Sequence, residues 1–314
     1  MAKFDGTSPV KYIRSDRSFC LTMRERSRYN WSMNQLSIEE RARILSALVE
    51  GNSIRSVCRM LGVAKRTVTR LLVEVGTACY EYQDRVMRDL PCRLVQCDEI
   101  WSYVGCKQKR VTPAKIEKGP CGDAWVWVAI DAETKLVPCW LVGKRDPGCA
   151  QEFIQDLAGR LKHRVQLTTD GLKMYLSAVE DSFGSEIDYA MLVKVYGNDP
   201  TEQKRYSPAI CTGCTAKAQI GSPDANHIST SYIERQNLTM RMSMRRFTRL
   251  TNGFSKKIQN HEASVALHFM YYNFVRIHQT LRVTPAMAAG IDGHLWSFEE
   301  IAMLANTRSV ELAA

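Results

Sequence analysis

The sequence predicts an α/β protein, in which a mixed sheet flanked by helices follows an N-terminal all-α unit. Apolar residues recur at helical spacing through residues 34–80. From Arg93 onward, the pattern changes to short apolar strands that alternate with helices. The chain has 314 residues, 45% of them hydrophobic, which is enough for a substantial core.

Charge indicates the kind of partner. Lys and Arg total 43 against 33 Asp and Glu, a formal net charge of +10, and such a basic protein commonly binds a polyanion. No apolar run approaches the length of a membrane span, and the N-terminus has no apolar signal core. We therefore expect a cytoplasmic, nucleoid-associated protein with no membrane partner. Most of the 11 cysteines lie within strand-like or helix-like segments, as expected for reduced thiols.

The all-α unit has the pattern of a helix-turn-helix domain. Its second and third helices, about residues 53–61 and 65–75, are joined by a turn at Gly62. The third helix presents a polar, basic face suited to the major groove of DNA. The residues expected there to bind DNA are Lys65, Arg66, Thr67, Thr69 and Arg70. A tri-helical bundle that binds no DNA is the alternative.

The α/β region has the element order of an RNase H-like domain. Three strands, about residues 93–104, 124–130 and 136–142, form a meander. A helix, a strand ending at Asp170, a second helix and a strand ending at Tyr196 follow. The fold class predicted is thus an RNase H-like mixed sheet flanked by helices, with an N-terminal helix-turn-helix domain.

The predicted domain boundaries follow these changes of pattern. Residues 1–33 are a basic arm, either loosely ordered or simply a solvated terminus. The other segments are a helix-turn-helix domain at 34–80, a linker at 81–91, a catalytic domain at 92–290 with an insertion or long loop at 188–229, and a C-terminal tail at 291–314.

Two acidic residues are predicted to meet at neighbouring strands. Asp98 lies within an apolar strand, where an acid is costly unless it is paired or metal-bound. Strand alternation sends Glu99 to the opposite face, so we expect only Asp98 to enter the site. Asp170 follows the apolar strand at residues 165–169, at the end where α/β sheets bind ligands.

A third acid, Glu234, begins a basic helix. At 100° per residue, Glu234 shares one face with Arg241 and Arg245. A second stripe should face the core, and it consists of Ile233, Met240, Met244 and Phe247. The helix therefore has an acid near its start and arginines further along the same face, which suits a helix beside a DNA backbone.

Carboxylates in this pattern favour metal-dependent chemistry on phosphodiesters. Mg²⁺ prefers oxygen ligands, and two ions together can stabilise the attacking and leaving oxygens of an in-line displacement. We expect Asp98, Asp170 and Glu234 to bind two Mg²⁺ ions, for which Mn²⁺ can substitute. Each acid alone could instead be a structural partner of an arginine or a backbone amide.

Three motifs carry a family resemblance. Cys97–Gly105 (CDEIWSYVG), Thr169–Gly171 (TDG) and Ile233–Arg241 (IERQNLTMR) resemble the transposases of the insertion-sequence-one family, within the DDE superfamily. The resemblance covers roughly residues 36–290. Tyr272–Leu281 (YNFVRIHQTL) looks like the C-terminal motif of many DDE transposases.

The resemblance implies a mobile-element transposase that binds the terminal inverted repeats of an insertion sequence. It implies DNA cleavage and strand transfer with Asp98, Asp170 and Glu234 as the catalytic triad. Partners would be double-stranded repeat and target DNA, with at least a dimer on DNA. Further DNA contacts are expected from Arg241, Arg245, Arg249, Lys256 and Lys257.

The chain departs from the family in two ways. It lacks the cysteine-rich zinc-binding head, because only three cysteines, Cys20, Cys58 and Cys79, fall within the N-terminal region ahead of the linker. The spacing between Asp170 and Glu234 is also longer than in the best-known members of the family. Asp181 and Asp188 are therefore rivals of Asp170 for the middle position of the triad.

Other interpretations of the sequence remain open. Cys211 and Cys214 have zinc-ligand spacing, but a single CxxC is a weak zinc signal. The alternative functions are an inactive helix-turn-helix regulator and an RNase H-like nuclease without strand transfer.

Overall fold

The computed structural model describes residues 36–197, 210–248 and 251–311, so the predicted basic arm lies outside the described residues. Helices α1 (Ile38–Val49), α2 (Ile54–Leu61) and α3 (Lys65–Val86) come first. The hydroxyl of Ser53 accepts a hydrogen bond from the Ser56 amide and caps α2. Gly62 ends α2 with a φ of 67°, a left-handed conformation that glycine adopts without strain.

Helix α3 is longer than the sequence predicted. It was expected to end near Val75 but continues to Val86, so most of the segment predicted as a linker, 81–91, is helical. Packing explains the extension. Gly76 lies where α3 crosses a later helix, and a Cβ there would stand 2.3 Å from the carbonyl oxygen of Ala263. Further along α3, the Gln83 amide donates a hydrogen bond of 3.1 Å to the Ala266 carbonyl.

A six-stranded mixed sheet forms the centre of the α/β region. Its strands are β1 (Leu94–Val104), β2 (Gly122–Asp131), β3 (Trp140–Gly143), β4 (Gln166–Thr169), β5 (Asp188–Gly197) and β6 (Ile210–Ile220). They are arranged in the order β3-β2-β1-β4-β5-β6. The meander β1–β2–β3 is antiparallel, and β1, β4 and β5 are parallel. The predicted fold class is confirmed.

Helices cover both faces of the sheet. The remaining helices are α4 (Pro113–Ile116), α5 (Pro147–Ala158), α6 (Met174–Phe183), α7 (Ser231–Ser243), α8 (Ile258–Met270), a π-helical turn (Tyr271–Val275), α9 (Pro285–Ala288) and α10 (Phe298–Glu311). On one face, Trp127 of β2 contacts Phe153 of α5 and Tyr175 of α6. On the other, Ser102 of β1 hydrogen-bonds to His261 of α8 at 3.0 Å.

Two segments differ from the predictions. The predicted loop within 188–229 contains β6, which pairs antiparallel with β5. The predicted C-terminal tail contains α10, which packs against α1 and α3 and whose Asn306 accepts a hydrogen bond from Arg41. The sequence hid β6 because its exposed residues are small and polar and show no apolar alternation. Among the described residues, no helix has the length and apolar character needed to cross a membrane.

Candidate active site

Asp98 and Asp170 meet where β4 ends beside β1. Thr169, the last residue of β4, is the parallel partner of Cys97, so the next residue on each strand is an aspartate. The Asp170 carboxylate also accepts a hydrogen bond of 2.9 Å from the Leu172 amide, which fixes the turn after the strand. The topology therefore brings together the two acids that the sequence predicted to be neighbours.

Glu99 joins these two acids, which corrects an expectation. Ligand oxygens of Asp98, Glu99 and Asp170 all lie within 4.8 Å of one another, and we call these residues the acidic cluster. Strand alternation does send the side chains of Asp98 and Glu99 to opposite faces. However, β1 continues past the end of β4, so both side chains can reach the space beside Asp170.

The Asp98 carboxylate is held by two hydrogen bonds. One oxygen accepts from the Glu99 amide at 2.8 Å, and the other accepts from the Asn237 side chain of α7, also at 2.8 Å. Burial, together with the negative charges of Asp170 and Glu234, raises the pKa of Asp98 to about 6, although the hydrogen bonds from the Glu99 amide and Asn237 lower it. These interactions orient a carboxylate whose charge is costly in the absence of a cation.

Glu99 is the most deeply buried member of the acidic cluster, with only 1% of its side chain exposed. One oxygen accepts a hydrogen bond of 3.2 Å from Arg145, and the other is buried and accepts no well-aligned hydrogen bond, although the Tyr175 hydroxyl lies close to Glu99. Burial, together with the charges of Asp170 and Asp98, raises the pKa of Glu99 to about 7, against the lowering effects of Tyr175 and Arg145. The Arg145 guanidinium also lies 4.0 Å from an Asp170 oxygen, so it bridges two of the acids.

The acidic cluster has the chemistry of a divalent-cation site. All its donor atoms are carboxylate oxygens, which hard cations prefer. The Glu99 oxygen without a well-aligned hydrogen bond and the raised pKa values of Asp98 and Glu99 indicate negative charge that the protein itself only partly neutralises. These residues could therefore hold a metal ion.

Glu234 lies on the helix that contacts Asp98 but outside the acidic cluster. The side-chain oxygen of Gln96 accepts hydrogen bonds from the Tyr232 and Ile233 amides, which docks the start of α7 onto β1. Glu234 accepts a hydrogen bond of 2.6 Å from Thr230 and forms an ion pair with Lys194. Its side chain is 45% exposed. It precedes Asn237 by about one helical turn, on the same side of α7.

All four residues of the predicted core stripe, Ile233, Met240, Met244 and Phe247, are buried, but α7 ends at Ser243, so the last two lie beyond the helix. Neither of the two rival acids, Asp181 and Asp188, belongs to the acidic cluster. Asp181 is exposed on α6. Asp188 pairs with Arg164 at 2.9 Å, and hydrogen bonds from this guanidinium hold the pKa of Asp188 below its usual value.

The predicted DNA-contacting residues are mostly at the surface. On α3, Lys65, Arg66 and Arg70 are exposed, while Thr67 and Thr69 are partly buried. The Thr69 hydroxyl donates a hydrogen bond of 2.9 Å to the Lys65 carbonyl. Of the predicted residues beyond α3, Arg245, Lys256 and Lys257 are exposed and Arg241 is partly buried, and Arg249 lies outside the described residues.

Cys211 and Cys214 lie together on β6. Both are exposed, with their sulfurs 3.8 Å apart. Within residues 36–197, 210–248 and 251–311, the acidic cluster is the one group of three or more potential metal ligands, and it includes neither cysteine. His227 instead neighbours Asp224, at 3.7 Å.

Sequence reasoning missed Glu99, Arg145, Asn237 and Lys194. A signal existed for Asn237, because it follows Glu234 by three residues and therefore faces the same way on a helix. No sequence signal marked Arg145 or Lys194, since each reaches the site from a strand or loop whose pairing must be known first.

Comparison with known proteins gives family-model matches to two separate regions of the chain. Residues 32–73 match a family model described as a helix-turn-helix domain (HTH_38). Residues 121–204 match a family model described as a DDE domain (DDE_Tnp_IS240), and this range includes Asp170 but neither Asp98 nor Glu234. A search of curated proteins finds no match.

Among solved structures, the chain is similar to one described as a cryo-EM structure of the piggyBac transposase synaptic complex with hairpin DNA. The identity is 10% and the TM-score 0.39, over 94% of this chain and 76% of that one. A likeness this remote supports no assignment. The DDE model is named for IS240, so it supports the DDE superfamily rather than the insertion-sequence-one family in particular. The two model matches support a DDE transposase, with a helix-turn-helix domain ahead of a DDE domain.

Proposed function

We propose that this transposase binds the terminal inverted repeats of an insertion sequence and catalyses metal-dependent DNA cleavage and strand transfer. The observation that carries the proposal is the acidic cluster, in which oxygens of Asp98, Glu99 and Asp170 lie within 4.8 Å of one another. It lies on the same compact unit as the helix-turn-helix region, Ile38–Ala314. A DNA end recognised by α3 would thus be held by the protein that carries the carboxylates.

Asp98, Asp170 and Glu234 are the proposed catalytic residues and metal ligands, with Mg²⁺ as the ion. Two bound divalent ions would supply Lewis-acid stabilisation of the attacking and leaving oxygens during phosphodiester cleavage and transesterification. Glu234 would have to leave its ion pair with Lys194 to serve as a ligand. In that arrangement, Lys194 would contact a DNA phosphate nearby.

The other residues of the site have positioning roles in this proposal. Asn237 orients the Asp98 carboxylate through its 2.8 Å hydrogen bond. Arg145 contacts Glu99 and Asp170 and limits the repulsion between them. Gln96 fixes the start of α7, and with it the position of Glu234 relative to β1.

The testing experiment is a cleavage and strand-transfer assay on repeat-end DNA with Mg²⁺. Asp98→Ala, Asp170→Ala and Glu234→Ala should each lower cleavage by about 100-fold or more, because each removes a ligand oxygen. Binding to the repeat should be retained. The matched control is Asp181→Ala, which removes an exposed carboxylate from α6 and should keep full activity.

The assay also separates the alternatives. Cleavage without joined products would indicate a nuclease, and repeat binding without any cleavage would indicate a regulator. Full activity in Asp170→Ala would refute the assignment of Asp170 as the middle acid of the catalytic triad. We further propose that the active form is at least a dimer on DNA, since two ends must be joined together.

A further inference from the structure

Four aromatic side chains form a row on one face of the sheet. Trp101 and Tyr103 are two residues apart on β1, with ring centroids 5.7 Å apart, and Trp125 of β2 is the cross-strand partner of Trp101. The ring of Phe254 lies 4.6 Å from that of Tyr103. All four are partly exposed. We call Trp101, Tyr103, Trp125 and Phe254 the aromatic strip.

The aromatic strip continues a face that helices cover only in part. Nearer the centre of the sheet, Trp127 is fully buried against Phe153 of α5 and Tyr175 of α6. Trp101 and Trp125 lie on the same face, further along the hairpin, where they remain partly exposed. Contiguous apolar surface that remains accessible to solvent is a common feature of binding sites.

Cations lie over the rings of the aromatic strip. The Lys107 ammonium is 5.8 Å from the Trp101 ring centroid and 5.9 Å from that of Tyr103. Lys256 lies 3.0 Å over Phe254, and the Arg145 guanidinium lies 4.8 Å over Trp125. The pKa of Lys256 is lowered, chiefly by burial and then by the positive charges of Lys65 and Arg55, which places this end of the strip near the helix-turn-helix region.

The strip lies between a basic loop and the acidic cluster. The exposed loop between β1 and β2 carries Lys107, Lys109, Arg110, Lys115 and Lys118 against one acid, Glu117. At the opposite end, Arg145 contacts both Trp125 and Glu99. A strand lying along the rings would therefore lead from positive charge directly to the carboxylates.

We propose that the aromatic strip binds an unpaired segment of the DNA substrate. Lys107, Lys256 and Arg145 would move from the ring faces to the phosphates, and bases would stack on the rings that they uncover. Aromatic side chains stack with any base, because every base has a π-face. Bases within a duplex are already stacked on each other, so the rings fit single-stranded rather than duplex DNA. The inference rests on the proposed function, in which strand separation beside the acidic cluster would expose such bases.

The charge of the surface argues against the chain's own N-terminal arm as the occupant. Residues 1–33 carry seven Lys and Arg against three Asp and Glu, so the arm would meet like charge at Lys107, Arg145 and Lys256. A polyanion is the complementary partner.

The test measures binding of the full-length protein to a fluorescein-labelled 20-mer of thymidine and to the same backbone made abasic, by anisotropy in EDTA. Wild type should bind the thymidine strand at least about fivefold more tightly, the lower end of the contribution from one stacked base. Trp101→Leu should lose about that factor on the thymidine strand and none on the abasic one. Trp101→Phe, which keeps a ring, should stay within about twofold of wild type.

Several results would overturn the inference. One is equal affinity of wild type for the two strands, which needs no variant and therefore holds even if Trp101→Leu fails to fold. Another is a Trp101→Leu variant that binds thymidine like wild type, or that loses affinity equally for both strands. Tyr103→Leu repeats the comparison at a second ring.

Because EDTA removes divalent cations, this binding assay is independent of catalysis. If the protein preferred the thymidine strand but cut no DNA, the proposed function would be refuted and the binding of unpaired DNA by the aromatic strip would be supported. If the protein cleaved DNA but bound the thymidine and abasic strands equally, only the inference that the aromatic strip binds bases would be refuted.

Discussion

The two faces of β1 are used differently. On one face, Ser102 hydrogen-bonds to buried His261, and behind it α3 and α8 pack so closely that Gly76 has no room for a side chain. On the other, Glu99 has an oxygen without a well-aligned hydrogen bond, and Trp101 and Tyr103 remain partly exposed. Asp98 points towards the first face and Glu99 towards the second, and they meet at the end of β4. One face is closely packed, while the other has a buried carboxylate beside a row of partly exposed aromatic side chains.

The largest expected effect on stability comes from Gly76→Ala, which changes the packing behind the first face of β1. Alanine usually stabilises a helix relative to glycine, but here its Cβ would lie 2.3 Å from the Ala263 carbonyl oxygen, and α3 and α8 would have to separate. We expect the free energy of unfolding to fall by about 3 kcal/mol or more, measured by chemical denaturation.

Gly148→Ala is the matched helical control, since its Cβ would make an ordinary contact at 3.5 Å. It should leave stability unchanged or slightly raised. Equal stability of the two variants would show that the α3–α8 junction is not tightly packed.

A smaller effect is expected on the charged face, at Arg145→Met. Removal of the guanidinium leaves the buried Glu99 carboxylate without its ion pair. Burial raises the pKa of Glu99 to about 7, so Glu99 contributes stability at low pH that is lost as pH rises through 7. Arg145 offsets this loss. The variant should be destabilised by about 1–2 kcal/mol at pH 8, because the partly exposed guanidinium is screened by solvent, and by less at pH 5.

Arg164→Met provides the comparison for Arg145. It breaks an ion pair with Asp188 at the surface and should change stability little at either pH. If Arg145→Met showed the same cost at pH 5 and pH 8, the loss of the ion pair with the Glu99 carboxylate would not be the cause.

The smallest effect is expected for Asp98→Asn without metal. Because the pKa of Asp98 is raised from 3.8 to about 6, its charge opposes folding increasingly as pH rises between these values, and the penalty is complete above about 6. Thermal unfolding should therefore show the variant gaining up to about 1 kcal/mol over wild type at pH 8 and less at pH 5. A gain at pH 5 that disappeared at pH 8 would give the opposite sign and contradict the electrostatic account.

The sequence predicted the strand-borne acids better than their neighbours. Asp98 and Asp170 could be predicted to be adjacent, because each belongs to an apolar strand and the element order pairs the two strands. Glu99 was excluded by strand alternation, a rule that holds within a sheet but not where the neighbouring strand has ended. Arg145 could not be predicted, since its role depends on the pairing of β3 with β2.

Parts of the fold were also missed because they depend on contacts between segments that are distant in the sequence. Apolar alternation predicted β1 to β5, but β6 is held by pairing with β5 rather than by burial of its own side chains. Helix α10 was hidden for a different reason: its packing against α1 and α3 joins segments far apart in the chain.

The central claim is that the acidic cluster binds divalent cations, and Mn²⁺ binding followed by electron paramagnetic resonance tests it most directly. At pH 8, wild type and the Asp181→Asn control should bind Mn²⁺ with the same affinity, and Mg²⁺ should compete. Asp98→Asn and Asp170→Asn should each bind at least about tenfold more weakly, about the effect of losing one charged ligand. Unchanged Mn²⁺ affinity in both variants would contradict the account.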